Sequence, residues 1–287
     1  MSHTTVTLTG TGVPHAAPGR AGAGVLVRYK DISLQFDAGR ATVLRMIEAG
    51  VSPTHLTALF VTHYHSDHVV DIPDVVLTRW VQQHVESTGP LTIVTPKGSA
   101  LRYVERMMDA FDDDIHVRQE HTNAQDLRTD VVSFAAPETP QRVWTSPDNN
   151  VFVEAVAVHH EPVKDAVAYK VTTPDGSVVI SGDTRVCDEV FQLAQTADVL
   201  VHEVCRTQAM AAAVKGTAFE SIFDYHSDSV VLGEFADRYN IKHMVLTHLI
   251  PSPKTEEQEQ KFAQDLRNGG YKGTVTVGSD LLVIPVV

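Results

Sequence analysis

The segment from Phe60 to His68 concentrates side chains that can bind metal ions. Three imidazoles and one carboxylate, those of His63, His65, Asp67 and His68, follow an apolar stretch that is typical of a buried strand. Such groups are of no use to an apolar core, because each must be hydrated or paired. Neutral imidazole and carboxylate are good ligands for zinc and similar metals. His63 and His65 can point to one side while Asp67 and His68 face a second ion nearby.

The order His-x-His-x-Asp-His resembles the hallmark of the metallo-β-lactamase superfamily. The resemblance extends over nearly the whole chain and is strongest to the branch that holds ribonuclease Z and the related zinc-dependent arylsulfatases. It implies an α/β hydrolase, a four-layer αββα sandwich formed as a single domain by residues 1–287. The other segments that carry the resemblance here are Leu8-Thr9-Gly10-Thr11-Gly12, Phe36-Asp37-Ala38-Gly39-Arg40 and the stretch from Ser66 to Asp74.

The resemblance implies three later metal ligands. One histidine of the pair His159 and His160 matches the third motif, and His160 is expected because a residue and then Pro-Val follow it. His159 remains the alternative, since adjacent residues of a strand face opposite ways. Asp183, in Ser-Gly-Asp-Thr, matches the bridging aspartate, and His248, in Leu-Thr-His-Leu, matches the last ligand.

The ligands divide, by resemblance, between two divalent ions, expected to be zinc, with manganese or iron as alternatives. One ion would be held by three histidines and the other by Asp67 and two histidines, with Asp183 between them; the histidine sets are His63, His65, His160 and then His68, His248. Ions about 3.5–4 Å apart would make a bound water hydroxide near neutral pH. Asp67 could also accept the proton of that water.

Two further segments resemble ribonuclease Z motifs that are associated with proton transfer. Glu203 lies in His-Glu-Val-Cys and His226 lies in Tyr-His-Ser-Asp. A leaving oxygen benefits from a positioned proton donor, and histidine titrates in the useful range. His226 is therefore expected to be the acid and Glu203 the group that orients it. The alternative is that both only support metal-bound ligands.

Short apolar strands alternate with amphipathic segments from end to end, which predicts two sheets packed face to face and covered by helices. Asp175-Gly176 predicts a hairpin turn, and a second strand-rich half is expected from Val131. Leu44 and Ile47 define one face of the first predicted helix. The predicted helices are Ala41 to Ala49, Leu77 to Val85, Ala100 to Phe111, Ser229 to Tyr239 and Glu256 to Arg267.

The composition is that of an ordinary globular protein, with 43% hydrophobic and 21% charged residues. Two cysteines, Cys187 and Cys205, are too few for a disulfide framework. The sequence carries neither a signal-peptide pattern nor an apolar run long enough to span a bilayer. These features predict a cytoplasmic location and no membrane partner.

The formal net charge of -13 argues against a nucleic-acid partner, which needs a basic face. The interval between His160 and Asp183 holds one predicted hairpin, with no room for the tRNA-gripping arm of ribonuclease Z. The leading hypothesis is therefore a hydrolase of a small-molecule ester-type bond, an aryl sulfate or phosphodiester, with a lactone or cyclic amide as further options. Leu77 to Phe111 is expected to form one wall of the cleft, and Arg206 to Asp224 is expected to cover the metals and could join a homodimer contact.

Two alternatives remain open. One is a ribonuclease Z-like endonuclease that acts at the 3′ end of tRNA. The other is a di-iron redox protein, which is disfavoured because the chain carries no attached flavin-binding domain. A non-catalytic binding protein fits least, because all seven ligand positions are filled.

Overall fold

The computed structural model describes residues 3–83, 85–86, 88–122 and 124–286. Two seven-stranded sheets are found within these residues. Their strands are β1 (Thr4–Gly10), β2 (Gly24–Tyr29), β3 (Ile32–Phe36), β4 (Ala58–Phe60), β5 (Leu91–Pro96), β6 (Thr129–Phe134), β7 (Gln141–Thr145), β8 (Phe152–Ala157), β9 (Val167–Thr173), β10 (Gly176–Ile180), β11 (Val199–Cys205), β12 (His243–Ile250), β13 (Thr274–Val277) and β14 (Val283–Pro285).

The helices connect these strands. They are α1 (Thr42–Glu48), α2 (Ser66–Val69), α3 (Ile72–Gln82), α4 (Ser99–Arg106), α5 (Asp112–Thr122), α6 (Asp188–Ala194), α7 (Thr207–Val214), α8 (Ser229–Arg238) and α9 (Glu256–Asn268). Three 3-10 helices lie at Pro53–His55, Asp109–Phe111 and Ala218–Asp224. In the part of the chain described, no helix has the length and apolar character needed to cross a membrane.

The strand order is β14-β1-β2-β3-β4-β5-β6 in the first sheet and β13-β12-β11-β10-β9-β8-β7 in the second. The last strand, β14, returns to pair with β1, so the chain ends in the sheet in which it began. The strand at Thr129–Phe134 pairs in parallel with β5 and belongs to the first sheet. The prediction that the second half begins near Val131 is therefore wrong, and the second sheet starts with β7.

Three apolar clusters define four layers. The central cluster combines residues of both sheets, such as Val25 and Val178. A second cluster joins the second sheet to α6, α8 and α9, and a third joins the first sheet to α1, α3 and α4. Strand β4 shows how one strand contributes to two clusters. Phe60 faces the central cluster and Leu59 faces the helices, because successive side chains of a strand point to opposite faces of the sheet. The αββα sandwich expected from the resemblance is confirmed.

Helix α1 buries a different face from the predicted one. Leu44 is 66% exposed and Ile47 is also exposed, whereas Val43 and Met46 are buried. The two pairs have the same i, i+3 spacing and are equally apolar, so periodicity alone cannot choose between them. Packing against the first sheet selects the stripe of Val43 and Met46.

Two other predicted helices differ at their ends. The helix expected from Ala100 to Phe111 ends at Arg106, and a separate 3-10 helix follows at Asp109–Phe111. Helix α5 was not predicted, and it buries none of its residues, so it leaves no apolar stripe in the sequence. The helix expected from Leu77 to Val85 begins earlier, at Ile72, and ends at Gln82; His84 lies outside the described residues.

Candidate metal centre

The seven residues expected to bind metal lie at one edge of the sandwich. His63 and the rest of its motif follow the end of β4, and Asp183 follows the end of β10. Strands β8 and β10 point the same way because both are antiparallel to β9, and β11 and β12 run parallel to β10. The carboxyl ends of these strands therefore meet at this edge. The residues that follow them are brought together although they are distant in sequence.

A first group combines four side chains whose ligand atoms lie within 4.8 Å of one another: His63, His65, His160 and Asp183. Nε2 of His160 is 3.1 Å from Nδ1 of His65. Oδ2 of Asp183 is 3.9 Å from Nε2 of His63 and 3.9 Å from Nε2 of His160. The two imidazole nitrogens, 3.1 Å apart, and the carboxylate beside them are potential metal ligands directed at one common space.

A second group combines Asp67, His68 and His248. Nε2 of His248 lies 3.2 Å from Oδ2 of Asp67, and Nε2 of His68 lies 3.7 Å from the same oxygen. Asp183 also reaches this group, since its Oδ1 is 3.3 Å from Nε2 of His68 and its Oδ2 is 3.5 Å from Nε2 of His248. One carboxylate therefore lies between the two groups.

Buried polar atoms without partners mark the same place. In the described chain, Nε2 of His63 and Nδ1 of His248 are buried and make no hydrogen bond, and Nε2 of His68 and Oδ1 of Asp183 are buried and face each other at 3.3 Å. Leaving such atoms unpaired costs free energy, so native proteins satisfy them with a partner, water or an ion. The nitrogen and carboxylate donors suit zinc or a similar divalent metal. The residues present fit a metal centre.

The protonation of the imidazoles agrees with this chemistry. Burial, together with neighbouring imidazoles, lowers the pKa of His65 to about 4 and holds the pKa of His63 well below its usual range. Burial also lowers the pKa of His160. These histidines are neutral at pH 7, which is the form that ligates a metal.

The carboxylates act in the opposite direction. Burial disfavours the charged form of His68, but the carboxylates of Asp183, Asp67 and Asp37 outweigh it and raise the His68 pKa well above its usual range. Burial likewise raises the pKa of Asp67, but the neighbouring imidazoles outweigh it and bring that pKa down to about 2. This side of the site therefore holds ionised carboxylates that favour a positive charge.

Two backbone features aim the ligands. His248 has φ 44° and is the extra residue of β12 where its register with β11 shifts, so it forms a β-bulge that redirects its side chain. Gly182, before Asp183, has φ 59°, and a Cβ there would stand 2.8 Å from Cβ of Thr62. Only glycine allows this turn and this close approach. Both features place a side chain that a regular strand would direct elsewhere.

Asp37 anchors the second group, a role that the sequence did not assign to it. It follows β3, the neighbour of β4, and is buried. Its Oδ2 accepts hydrogen bonds from Nδ1 of His68 at 2.8 Å and from Oγ1 of Thr62 at 2.7 Å. The signal was available, because Asp37 also stands at the end of a buried strand beside the motif.

His159 and His160 face opposite ways. His160 is buried, and its Nδ1 donates to the carbonyl of Tyr225 at 3.0 Å, which leaves Nε2 directed at His65. The His159 side chain is 37% exposed, and its Nε2 lies 3.1 Å from the Glu189 carboxylate. Of the two candidates from the sequence, His160 is the one that stands among the other ligating side chains.

Glu203 and His226 form a buried pair beside the two groups. Nδ1 of His226 donates to Oε1 of Glu203 at 2.8 Å, and the same oxygen accepts the backbone N–H of Thr184. Burial opposes a charge on His226, but the Glu203 carboxylate outweighs it and raises the pKa of His226 to about 9. The ligand atoms of His226, Asp183 and His248 also lie within 4.8 Å of one another. These three side chains therefore form a third group that could hold an ion.

A cleft of about 1420 Å³ opens onto these residues, and His65, Asp67, Asp183, His226 and His248 line its floor. The segment from Arg206 to Asp224 forms α7 and a 3-10 helix that supply part of the wall, as expected. The expectation for Leu77 to Phe111 is wrong, because among the described residues none of that segment lines the cleft. The other walls are residues 13–20 and 250–256, which carry no chemical signature in the sequence.

Comparison with known proteins places the chain in a family. The family model described as Anti-Pycsar protein Apyc1 matches residues 4–264. A ribonuclease Z of Mycobacterium bovis (strain BCG / Pasteur 1173P2) is 34% identical over 278 residues, which cover 96% of each chain. The ribonuclease Z of Mycobacterium tuberculosis (strain ATCC 25618 / H37Rv) is 33% identical with the same coverage.

Solved structures agree on the fold. The metallo-β-lactamase fold protein YhfI from Bacillus subtilis superposes with a TM-score of 0.72 at 20% identity, over 98% of each chain. The short form of human tRNase Z superposes with a TM-score of 0.67 at 22% identity, over 99% of each chain.

The expectation of a small-molecule substrate and of no nucleic-acid partner is wrong, because the curated relatives are ribonucleases and a structural neighbour is a tRNase. Net charge averages over the whole chain and does not describe the cleft, where Arg20 and Lys254 stand beside the carboxylates of Glu256 and Glu259. The chain belongs to the Apyc1 family and to the ribonuclease Z-like branch of the metallo-β-lactamase superfamily, and it is a metal-dependent hydrolase.

Proposed function

We propose that the protein is a ribonuclease Z-like endonuclease that hydrolyses a phosphodiester at the 3′ end of tRNA. The single observation that carries the proposal is the convergence of both side-chain groups on one cleft floor in a chain that matches named ribonucleases Z nearly end to end. Phosphodiester hydrolysis suits such a floor, since it needs charge neutralisation on phosphate oxygens and an activated water.

The metal ligands in this proposal are those expected from the sequence, and the ions are two zinc ions. His63, His65 and His160 would hold one ion, Asp67, His68 and His248 would hold the other, and the Asp183 carboxylate lies between the two groups. When bound, the ions supply Lewis-acid chemistry that activates water and neutralises negative charge on the phosphate. The buried Nε2 of His63, which makes no hydrogen bond, supports this assignment.

The proton for the leaving oxygen comes from His226. Its Nδ1 is held by Glu203 at 2.8 Å, so the other ring nitrogen is left to face the cleft that His226 lines. Glu203 is buried and also accepts the backbone N–H of Thr184, which fixes its carboxylate. Glu203 orients the imidazole, and His226 donates the proton that makes the oxygen a better leaving group. Asp67, buried among the imidazoles, would accept the proton of the attacking water.

The absence of an inserted arm does not weigh against tRNA. The interval between His160 and Asp183 is occupied by the hairpin of β9 and β10. The relatives named ribonuclease Z match this chain over 96% of both lengths, so they have no room for a large insertion that this chain lacks. Relatives named ribonuclease Z are therefore about as long as this chain and need no inserted arm that it lacks.

The test is cleavage of a labelled precursor tRNA with a 3′ trailer by the zinc-loaded protein, supplied at a tenth of the substrate concentration. We expect one cut at the junction of tRNA and trailer, with multiple turnovers. An unstructured RNA of the same length serves as the control substrate and should be cut more slowly and at scattered positions. His160→Ala protein serves as the control enzyme.

Failure would be informative in one direction. If bis(p-nitrophenyl) phosphate is hydrolysed in a zinc-dependent manner while neither RNA is cut, the metal-dependent hydrolase stands and the tRNA substrate is refuted.

A further inference from the structure

The cleft is larger than a phosphate bound at its floor requires. Its volume of about 1420 Å³ exceeds the roughly 300–1,000 Å³ that is usual for a small-molecule site. The floor is polar and charged, but one wall carries the apolar side chains of Met210, Val214, Phe219 and Ile222. A substrate that fills the cleft must therefore offer an apolar surface beside its charged group.

Phe219 differs from its apolar neighbours on that wall. It lies on the 3-10 helix at Ala218–Asp224, together with Ile222 and Phe223. Ile222, Phe223 and Met210 pack against a small buried cluster, whereas Phe219 belongs to none of the apolar clusters of the described chain and remains 53% exposed. A large aromatic ring that is exposed inside a cleft offers its surface to a ligand rather than to the core.

The backbone that carries Phe219 is nevertheless well fixed. The Thr217 hydroxyl caps this helix by accepting the backbone N–H of Phe219 at 3.2 Å. The N–H of Gly216 donates to the Glu220 carboxylate, and the Ser221 hydroxyl donates to the carbonyl of Ala218. The ring is thus presented from a held segment, which reduces the entropy lost when a ligand binds to it.

One edge of the Phe219 ring is bounded by His15, which belongs to the wall formed by residues 13–20. The two ring centroids are 5.7 Å apart and the planes are inclined by 49°. This spacing is that of a direct aromatic contact, so a flat group stacks on the remaining face of Phe219 rather than between the two rings. His15 limits how far such a group can slide toward its wall.

We propose that Phe219 is the stacking platform for the nucleobase next to the phosphate on the cleft floor. This subsite rests on the proposed function in that its ligand is a nucleotide of the substrate. Every base has a π-face, so stacking on an aromatic side chain binds bases without strong sequence preference. Phe219 then places the phosphate by holding its neighbour, and it takes no part in bond cleavage.

The experiment compares two ligands by calorimetry on the zinc-loaded protein. Adenosine 5′-monophosphate carries a base and a phosphate, whereas ribose 5-phosphate carries the same phosphate and sugar without the base. Stacking on one aromatic side chain predicts at least about fivefold tighter binding of the nucleotide. The ratio of the two dissociation constants isolates the base, because any loss of metal or phosphate binding affects both ligands.

Phe219→Ala and Phe219→Leu should reduce this ratio toward one, and Phe219→Trp should retain it. The leucine variant keeps apolar volume, so it tests stacking even if the alanine variant is poorly folded. Phe111→Ala is the matched control, because Phe111 is also exposed and also lies in a 3-10 helix but does not line the cleft. An unchanged ratio in both the alanine and leucine variants would overturn the proposal.

The two proposals fail separately. A Phe219-dependent ratio in a protein that leaves precursor tRNA intact would keep the nucleobase subsite and reject tRNA as the substrate. Specific tRNA cleavage, with a ratio of dissociation constants that the Phe219 substitutions leave unchanged, would keep tRNA as the substrate and reject the nucleobase subsite.

Discussion

Nδ1 of His68 donates a hydrogen bond of 2.8 Å to Oδ2 of Asp37. The same oxygen accepts the hydroxyl of Thr62, and Oδ1 of Asp37 accepts the backbone N–H of Thr62 at 2.7 Å. Three donors thus converge on one buried carboxylate, which fixes the plane of the His68 ring and turns its Nε2 toward Asp183. Carboxylates that hold a metal-ligating histidine in this way raise the basicity of the ring and maintain its tautomer.

Asp37→Asn should therefore weaken metal binding without removing a proposed ligand. Asparagine offers one acceptor and one NH₂ group, so at least one of the three donors would face another donor. Loss of such a supporting group typically costs about 10–100-fold in metal affinity. Competition between the purified protein and a chromophoric chelator for zinc measures the change.

The matched control is Asp74→Asn, since Asp74 is an exposed carboxylate that accepts only a local hydrogen bond from Thr78. We expect its zinc affinity to equal that of the wild type. Equal affinities for both variants and the wild type would show that Asp37 does not support the metal centre.

The adjacent histidines offer a second matched pair. His160→Ala removes a buried imidazole whose Nε2 lies 3.1 Å from His65, and His159→Ala removes a half-exposed one that contacts Glu189. Elemental analysis after dialysis should find that His160→Ala has lost at least one metal ion per chain and that His159→Ala has kept the wild-type content. A loss in the His159 variant, with none in the His160 variant, would reverse the assignment.

The contiguous part of the candidate site can be recognised in the sequence because its chemistry is local to the end of one strand. The motif from His63 to His68 is contiguous, and Asp183 and His248 each follow or interrupt a short apolar strand. Polarity indicates the buried strand and the motif that follows it, whereas Asp183 and His248 were expected from the resemblance. The four-layer αββα arrangement was predicted with the help of the resemblance, and the order of the strands in the two sheets was not predicted.

The wall formed by residues 13–20 could not be predicted from the sequence, because contacts with distant residues hold it in place. Residues 13–20 hold their position because Asp280, near the other end of the chain, accepts the N–H groups of Thr11 and Ala21. Arg20 is held in turn by the Glu259 carboxylate at 2.5 Å. Each of these contacts joins two residues more than 230 positions apart in the sequence, so no pattern within residues 13–20 predicts it.

Helix α1 provides a test of how packing chose between two apolar stripes. Met46 is fully buried against the first sheet, and Leu44, two residues earlier, is 66% exposed. Met46→Ala should lower the free energy of unfolding by about 2–5 kcal/mol, since it leaves a cavity in the core. Leu44→Ala should change it by about 0.5 kcal/mol or less, as a surface substitution does.

Urea denaturation followed by circular dichroism, at fixed zinc concentration, measures both variants of this helix. Similar losses in the two variants would mean that α1 is covered on the Leu44 side as well, for example by a second copy of the chain.

The role of His226 as proton donor predicts a dependence on the leaving group. His226→Asn should slow cleavage of an RNA phosphodiester by about 10²–10⁴-fold, because the departing sugar oxygen needs a proton. Hydrolysis of bis(p-nitrophenyl) phosphate should fall much less, since p-nitrophenolate is a stable anion. Glu203→Gln should show the same pattern, because it removes the carboxylate that raises the pKa of His226 and holds its imidazole at 2.8 Å.

The metal content of the His226 variant distinguishes proton donation by His226 from metal binding by the same residue. His226 also lies within 4.8 Å of Asp183 and His248, so it could instead bind an ion. If His226→Asn loses metal and slows both substrates equally, the residue is a ligand and not the acid. If the metal content is unchanged and the two rates diverge, the imidazole acts on the leaving oxygen, and the Glu203 carboxylate acts through it.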